Sequence, residues 1–96
     1  MSYTFDAEVW KYPGESAWYF LTLPIDCADD IMELTEGRRN GFGSVRVIVT
    51  IGTSRWTTSV FPDKRSGSFV LPVKKLVRKA QDLDDGALAT VHLELE

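Results

Sequence analysis

The segment Ser44–Ile51 limits the possible folds of this chain more than any other part of the sequence. Its valines and its final isoleucine recur at every second position, which places branched apolar side chains on one face of a strand. Gly52-Thr53 follows, and this pair is typical of a two-residue turn that needs glycine at its first position. Ser54–Phe61 then alternates again as the partner strand. The sequence therefore predicts a β-hairpin at the centre of a β-rich fold.

Shorter segments on either side extend the β pattern. Alternating or short apolar runs bounded by turn residues predict four more strands: Thr4–Lys11, Trp18–Leu23, Ser68–Leu71 and Ala87–Leu95. A turn at Tyr12-Pro13-Gly14-Glu15 joins the first two of these strands. The residues expected to share one core include Val45, Val47, Val49, Ile51, Val91 and Leu93.

Two helices complete the predicted order ββ-α-βββ-α-β. The first helix is expected to begin at Asp26 as N-cap and to stop at Gly37. The second covers 72–82, with Pro72 at its first position, where a helix tolerates proline. Its apolar face would consist of Val73, Leu76, Val77, Ala80 and Leu83, and its opposite face of Lys74, Lys75, Arg78 and Lys79. Six short strands with two short capping helices favour a mainly β fold, a small closed or nearly closed barrel.

The charges of the chain are strongly segregated. The formal net charge is −3, yet ten of the 11 Lys and Arg residues lie between Gly37 and Lys79, where Asp63 is the one acid. Clustered like charge creates a field that can recruit an oppositely charged partner. The sequence thus predicts a non-enzymatic binding module for an anionic partner, a nucleic acid or a phosphate-bearing molecule. The candidate contact residues are Arg38, Arg39, Lys64, Arg65, Lys74, Lys75 and Arg78.

Two other functions fit the same residues. In the first, the acidic ends fold back on the basic middle, and the chain is a structural, protein-interaction or homodimerisation domain. In the second, a small-molecule pocket in the barrel is lined by Trp18, Phe20 and Trp56. Aromatic side chains beside basic loops also form stacking platforms for single-stranded nucleic acid. A small domain equally needs its aromatic residues for core stability.

No residue pattern in the sequence points to catalysis. His92 is the single histidine, and it falls on the outward face of the last strand. Cys27 is the single cysteine, and the neighbouring Asp26 and Asp29 oppose formation of its thiolate. The acids read as helix-capping and turn residues rather than converging metal ligands. The loop Gly37–Gly43 lacks the lysine-serine ending of a nucleotide-binding P-loop. We therefore expect no enzyme activity, no metal and no cofactor.

Several short motifs together resemble a known family. They are Trp18-x-Phe20, Leu23-Pro24, Gly41-Phe42-Gly43-Ser44, Ile51-Gly52 followed by Trp56, Ser59-x-Phe61-Pro62, Gly67, Leu71-Pro72-Val73-Lys74 and Val77-Arg78. The chain is similar to an uncharacterised bacterial domain family, often the N-terminal barrel of YdeI-like, OmpD-associated bacteriocin-protection proteins. The resemblance implies a double-split β-barrel capped by helices. It implies no catalytic residues, because the family is a domain of unknown function.

Length and composition predict one small cytoplasmic domain spanning residues 1–96. A hydrophobic fraction of 44% is too high for a disordered chain. The N-terminus lacks the basic start and apolar run of a signal peptide, and no apolar stretch is long enough to span a bilayer. One cysteine allows no intrachain disulfide. The sequence stops at Glu96, so the helical domain that often follows in relatives is not expected here.

Overall fold

The computed structural model describes residues 1–14 and 17–96, and these residues form seven strands and two helices. The strands are β1 (Ser2–Glu8), β2 (Trp10–Lys11), β3 (Tyr19–Thr22), β4 (Val45–Ile51), β5 (Ser54–Asp63), β6 (Ser68–Pro72) and β7 (Leu88–Leu95). The helices are α1 (Ile25–Leu34) and α2 (Lys75–Gln81). All strands are antiparallel and form one curled sheet in the order β1-β7-β4-β5-β6-β3-β2. The sheet is a half-barrel, whose edges are β1 and β2.

The central hairpin is confirmed. Strand β4 pairs with β5 from the pair Ile51–Ser54 to the pair Val45–Val60. On its other side, β4 pairs with β7. Its inward side chains are buried, as the alternation requires. The expected shared core is also confirmed, since Val45, Val47, Val49, Ile51, Val91 and Leu93 belong to one buried cluster.

The first predicted strand is in fact two strands, which gives seven strands instead of six. Strand β1 pairs with β7, whereas β2 pairs with β3. The break falls at Val9, whose N–H donates to the carbonyl of Ala87 and whose carbonyl accepts from the N–H of Gly86. Val9 stays fully buried, so the apolar alternation continues while the chain changes partner strands. One residue of the turn predicted at 12–15, Glu15, lies outside the described residues.

Both helix boundaries differ from the prediction. Helix α1 begins after Pro24, and the Asp26 side chain accepts a hydrogen bond from the next N–H within the first turn. Pro72 belongs to β6, where it pairs with Phe20 of β3, and α2 begins three residues later at Lys75. Proline suits the end of a strand as well as the start of a helix, and pairing with β3 decides between them here.

The apolar face predicted for the second helix is correct at three of its five residues. Val73, Val77 and Leu83 are buried, but Leu76 is 75% exposed and Ala80 is exposed. Helix α2 has seven residues and buries only Val77, so it contacts the sheet over less than the predicted face. In the part of the chain that the structure describes, no helix is long and apolar enough to cross a membrane.

Candidate functional site

The sheet splits between β5 and β6. The two strands pair only from the pair Phe61–Val70 to the pair Asp63–Ser68. Strand β5, however, begins at Ser54, seven residues before Phe61. Continuing this register would place Pro72 opposite Ser59. Proline has no N–H, so it cannot donate the next ladder hydrogen bond. The pairing of β5 with β6 therefore stops at Val70, and the chain turns away into α2.

An open groove of about 800 Å³ occupies this split. We call it the split groove. Its lining includes Trp56 of β5, Phe20 of β3 and Trp18, the residue before β3. Lys74, Lys75 and Arg78 line the α2 end. The three aromatic candidates predicted from sequence thus border the same space as three of the seven basic candidates.

Aromatic residues in and beside the split groove form a connected group. The rings of Trp10 and Phe20 have centroids 5.1 Å apart, and those of Trp18 and Phe20 are 6.3 Å apart in an edge-to-face arrangement. Trp18 is 66% exposed, whereas Trp56 is half-buried against the core. The half-barrel interior is filled by buried apolar side chains, among them Phe5 and Phe69. The space between the aromatic candidates is therefore a cleft at the split in the sheet, not a cavity inside a barrel.

Arg78 is held in place by two contacts within the domain. Its guanidinium lies 3.8 Å from the centroid of the Tyr19 ring, and its Nε donates to the carbonyl of Val73 at 3.2 Å. The stack uses the face of the guanidinium and the hydrogen bond uses Nε, so the two terminal nitrogens of the fork have no partner among the described residues. A planar fork fixed in this way suits bidentate binding of a carboxylate or phosphate.

The other basic candidates do not line the split groove. Arg38 donates to the carbonyl of Leu34 at 2.7 Å, and Arg39 donates to the carbonyl of Met32 at 3.0 Å. Both arginines therefore satisfy carbonyls at the C-terminal end of α1, where positive charge also interacts favourably with the helix dipole. Lys64 and Arg65 lie in the turn between β5 and β6, and Arg65 borders a separate hollow of about 460 Å³.

The basic middle is partly neutralised by the C-terminal strand. Arg55 lies 3.2 Å from Glu94, and Arg46 lies 3.8 Å from Glu96. Both pairs are on the exposed outer face of the sheet, where ion pairs stabilise by about 0–1 kcal/mol. Within the described ranges, Lys74, Lys75 and Arg78 make no such pair. The charge at the split groove is therefore left uncompensated by its neighbours.

The nucleophile candidates lie away from the split groove. His92 is on the outer face of β7, where a ring nitrogen is 2.9 Å from the hydroxyl of Thr4. Burial raises the pKa of the Cys27 thiol, and the charges of Asp26 and Asp30 raise it further. The thiolate is thus disfavoured, as the neighbouring acids predict. Among residues 1–14 and 17–96, no three His, Cys, Asp or Glu side chains come together as metal ligands.

The fold and the split groove define a small antiparallel half-barrel whose sheet opens between two strands to form a cleft. Residues 5–93 match the family DUF1905, described as a domain of unknown function, and the chain belongs to that family. The resemblance seen in the sequence motifs is thereby confirmed at the level of the family. No curated protein shows significant similarity to the chain.

Sequence reasoning missed Tyr19 and Thr57 as residues of the split groove. Tyr19 comes close to Arg78 only because β3 pairs with β6, which places the chain after β6 beside the start of β3. The signal available in the sequence was Pro72. A proline at the end of a short strand indicates a ladder that cannot continue, and so an opening beside it.

Proposed function

We propose that this domain is a non-enzymatic binding module whose split groove holds an anionic ligand with an apolar body. One observation supports this function above all. The three aromatic candidates and three of the seven basic candidates, far apart in sequence, border one cleft with apolar walls and with cations at one end. Ligand sites in proteins have this composition, with mostly apolar surfaces and a few placed polar groups, at volumes of about 300–1,000 Å³.

The geometry favours a compact anion over a long polyanion. A nucleic acid strand is bound by cations that follow its backbone. Here Arg38 and Arg39 are engaged with α1, and Lys64 and Arg65 lie outside the split groove. The three remaining cations line the α2 end of the split groove. This arrangement suits one carboxylate or phosphate group, with the rest of the ligand against Trp56 and Trp18.

The proposal is tested with small probes of matched shape. Indole-3-propionate should bind, and 1-naphthyl phosphate should bind as a second anion. Indole-3-propionamide should bind at least about tenfold more weakly, since it lacks the charge paired with Arg78. Chemical shifts in ¹H–¹⁵N spectra should move at Trp56, Thr58 and Val73. Equal binding of the acid and its amide would contradict an anion site.

Two protein variants locate the binding. Trp18→Ala removes an exposed side chain and should weaken the binding of both anions without unfolding the domain. Arg78→Lys keeps the charge but loses the planar fork, and should also weaken the binding of both anions. Lys64→Gln is the control for net charge alone, because it removes one positive charge outside the split groove. If Lys64→Gln weakens binding as much as Arg78→Lys, the attraction is a general field and the assignment of the site is wrong.

A second candidate function is protein interaction or homodimerisation. It is favoured by the exposed apolar residues around the split groove, of which Trp18 is 66% and Phe61 40% exposed. The ion pairs of Arg46 and Arg55 with the C-terminal strand also support the charge compensation that this alternative requires. Sedimentation of the wild type and of Trp18→Ala tests it. A dimer that dissociates in the variant would favour self-association over ligand binding.

A further inference from the structure

The backbone of β5 beside the split groove has lost its neighbouring strand. The two-residue turn, with Gly52 at φ +58°, makes Ile51 and Ser54 a hydrogen-bonded pair. Antiparallel pairs alternate, so the main-chain groups of Trp56, Thr58 and Val60 face β4. Those of the intervening residues Arg55, Thr57 and Ser59 face away from β4, and of these three Thr57 lines the split groove.

Strand β6 independently supports this alternation. The carbonyl of Phe69 accepts from Leu23 at 3.0 Å, and the N–H of Val73 donates to the carbonyl of Tyr19 at 2.9 Å. The main chains of Phe69 and Val73 therefore face β3. It follows that Val70 and Pro72 face β5, so Pro72 presents no donor to the carbonyl of Ser59.

Thr57 has even less to pair with. Its partner in the continued register would be Lys74, where the chain has already left the strand to begin α2. Among the described residues, neither the N–H nor the carbonyl of Thr57 has a hydrogen-bond partner outside β4. Open edges of this kind are templates for pairing with another chain.

The opening is short and is closed at both ends. At one end β5 pairs with β6 at Phe61 and Val70. At the other end, Gln81 of α2 donates to the hydroxyls of Thr53 and Ser54, each at 3.1 Å. A chain that paired with Thr57 could not continue along β5 past α2. The end of a chain fits this space better than its middle.

The charges in the split groove complement such an end. A C-terminus carries one carboxylate, and the three cations that line the α2 end, Lys74, Lys75 and Arg78, form no ion pair among the described residues. We propose that the split groove receives the C-terminal residues of an extended peptide as an added strand beside β5. Thr57 forms its backbone hydrogen bonds, and Arg78 binds its terminal carboxylate. This inference rests on the proposed function and names the ligand class of the same site.

The probe is an acetylated pentapeptide of alternating threonine and valine with a free C-terminal carboxylate. Its binding should slow hydrogen exchange of the Thr57 amide by about tenfold or more at saturation, while the Thr58 amide, which already faces β4, should change little. Two matched peptides serve as controls. The C-terminal amide removes the charge, and methylation of the central backbone nitrogen removes a donor; each should weaken binding by about tenfold.

A protein variant tests the same contact from the other side. Thr57→Pro removes an N–H that has no partner within the domain, and proline is tolerated at such edge positions. The variant should fold, as its ¹H–¹⁵N spectrum would show, and should bind the pentapeptide about tenfold more weakly than the wild type. If the variant does not fold, the methylated peptide still decides the question.

The outcomes separate this inference from the proposed function. Binding of indole-3-propionate without binding of the pentapeptide would overturn strand addition and leave the anion site intact. Pentapeptide binding that leaves the exchange of the Thr57 amide unchanged would also overturn strand addition. Equal affinity of the free acid and the C-terminal amide would overturn recognition of the chain end. If neither probe binds, the inference and the proposed function are both wrong.

Discussion

Replacing Arg78 should destabilise the domain although its side chain is charged and lies at the surface. In Arg78→Met the stem is kept, but the stack on Tyr19 and the hydrogen bond to the carbonyl of Val73 are lost. A cation over an aromatic ring at a partly exposed site stabilises by about 0.5–1 kcal/mol. A hydrogen bond from a charged donor adds about 1.5 kcal/mol at the lower end of its range.

The expected loss in the free energy of unfolding is therefore about 2 kcal/mol. For a domain of this size, each 1 kcal/mol shifts the melting temperature by about 4–8 °C. Arg78→Met should thus melt about 8–16 °C below the wild type. The matched control is Lys79→Met, the next residue of α2, which is exposed and forms no hydrogen bond or ion pair among the described residues. It should stay within about 0.5 kcal/mol of the wild type.

Urea denaturation followed by tryptophan fluorescence measures both differences. A double-mutant cycle with Tyr19→Leu separates the stack from the hydrogen bond, and we expect a coupling of about 0.5–1 kcal/mol between Tyr19 and Arg78. If Arg78→Met and Lys79→Met are equally stable within about 0.5 kcal/mol, Arg78 is an ordinary solvated side chain. The preorganised anion fork would then be refuted.

Three further predictions concern other parts of the domain. Burial and a hydrogen bond to Asp30 raise the pKa of Tyr3 to about 12. The wild type should therefore lose stability as the pH rises from about 10 through 12. Urea denaturation should show a smaller loss for Tyr3→Phe over that interval. Alkylation of Cys27 by iodoacetamide at pH 8 should be slower than that of the unfolded chain, because its raised pKa leaves less thiolate; equal rates would contradict this. Gly52→Ala should destabilise by about 1 kcal/mol or more, because alanine is strained at φ +58° and its Cβ would displace the Gln81 side chain from Thr53 and Ser54. A calorimetric melting temperature equal to that of the wild type would contradict this.

The strands of the core were predictable because their signal is local. Alternation in β4 and in the last strand is enough to identify their inward faces, whatever the rest of the chain does. The first strand shows the limit of this signal. Its alternation continues through Val9, yet the partner changes there from β7 to β3, and partner choice depends on residues distant in the sequence.

The site was predictable in its composition but not in its assembly. Trp18, Phe20 and Trp56 were expected to lie together, and Lys74, Lys75 and Arg78 to lie on one helix. That both groups border one cleft follows from the split beside Pro72, a consequence of strand register that propensities do not reveal. Leu76 was misassigned because periodicity was extended over a helix that has only seven residues.

The pairing of β1 with β7 also has a consequence for the order of folding. Glu8 pairs with Leu88, and Ser2 pairs with Glu94, so this ladder joins residues about 80 to 90 positions apart. Closing so long a loop costs chain entropy before any stabilising contact forms, whereas the β4–β5 hairpin closes over two residues. The central hairpin should therefore form early and the β1–β7 ladder late. Substitutions in β1 would then chiefly accelerate unfolding and leave the folding rate almost unchanged.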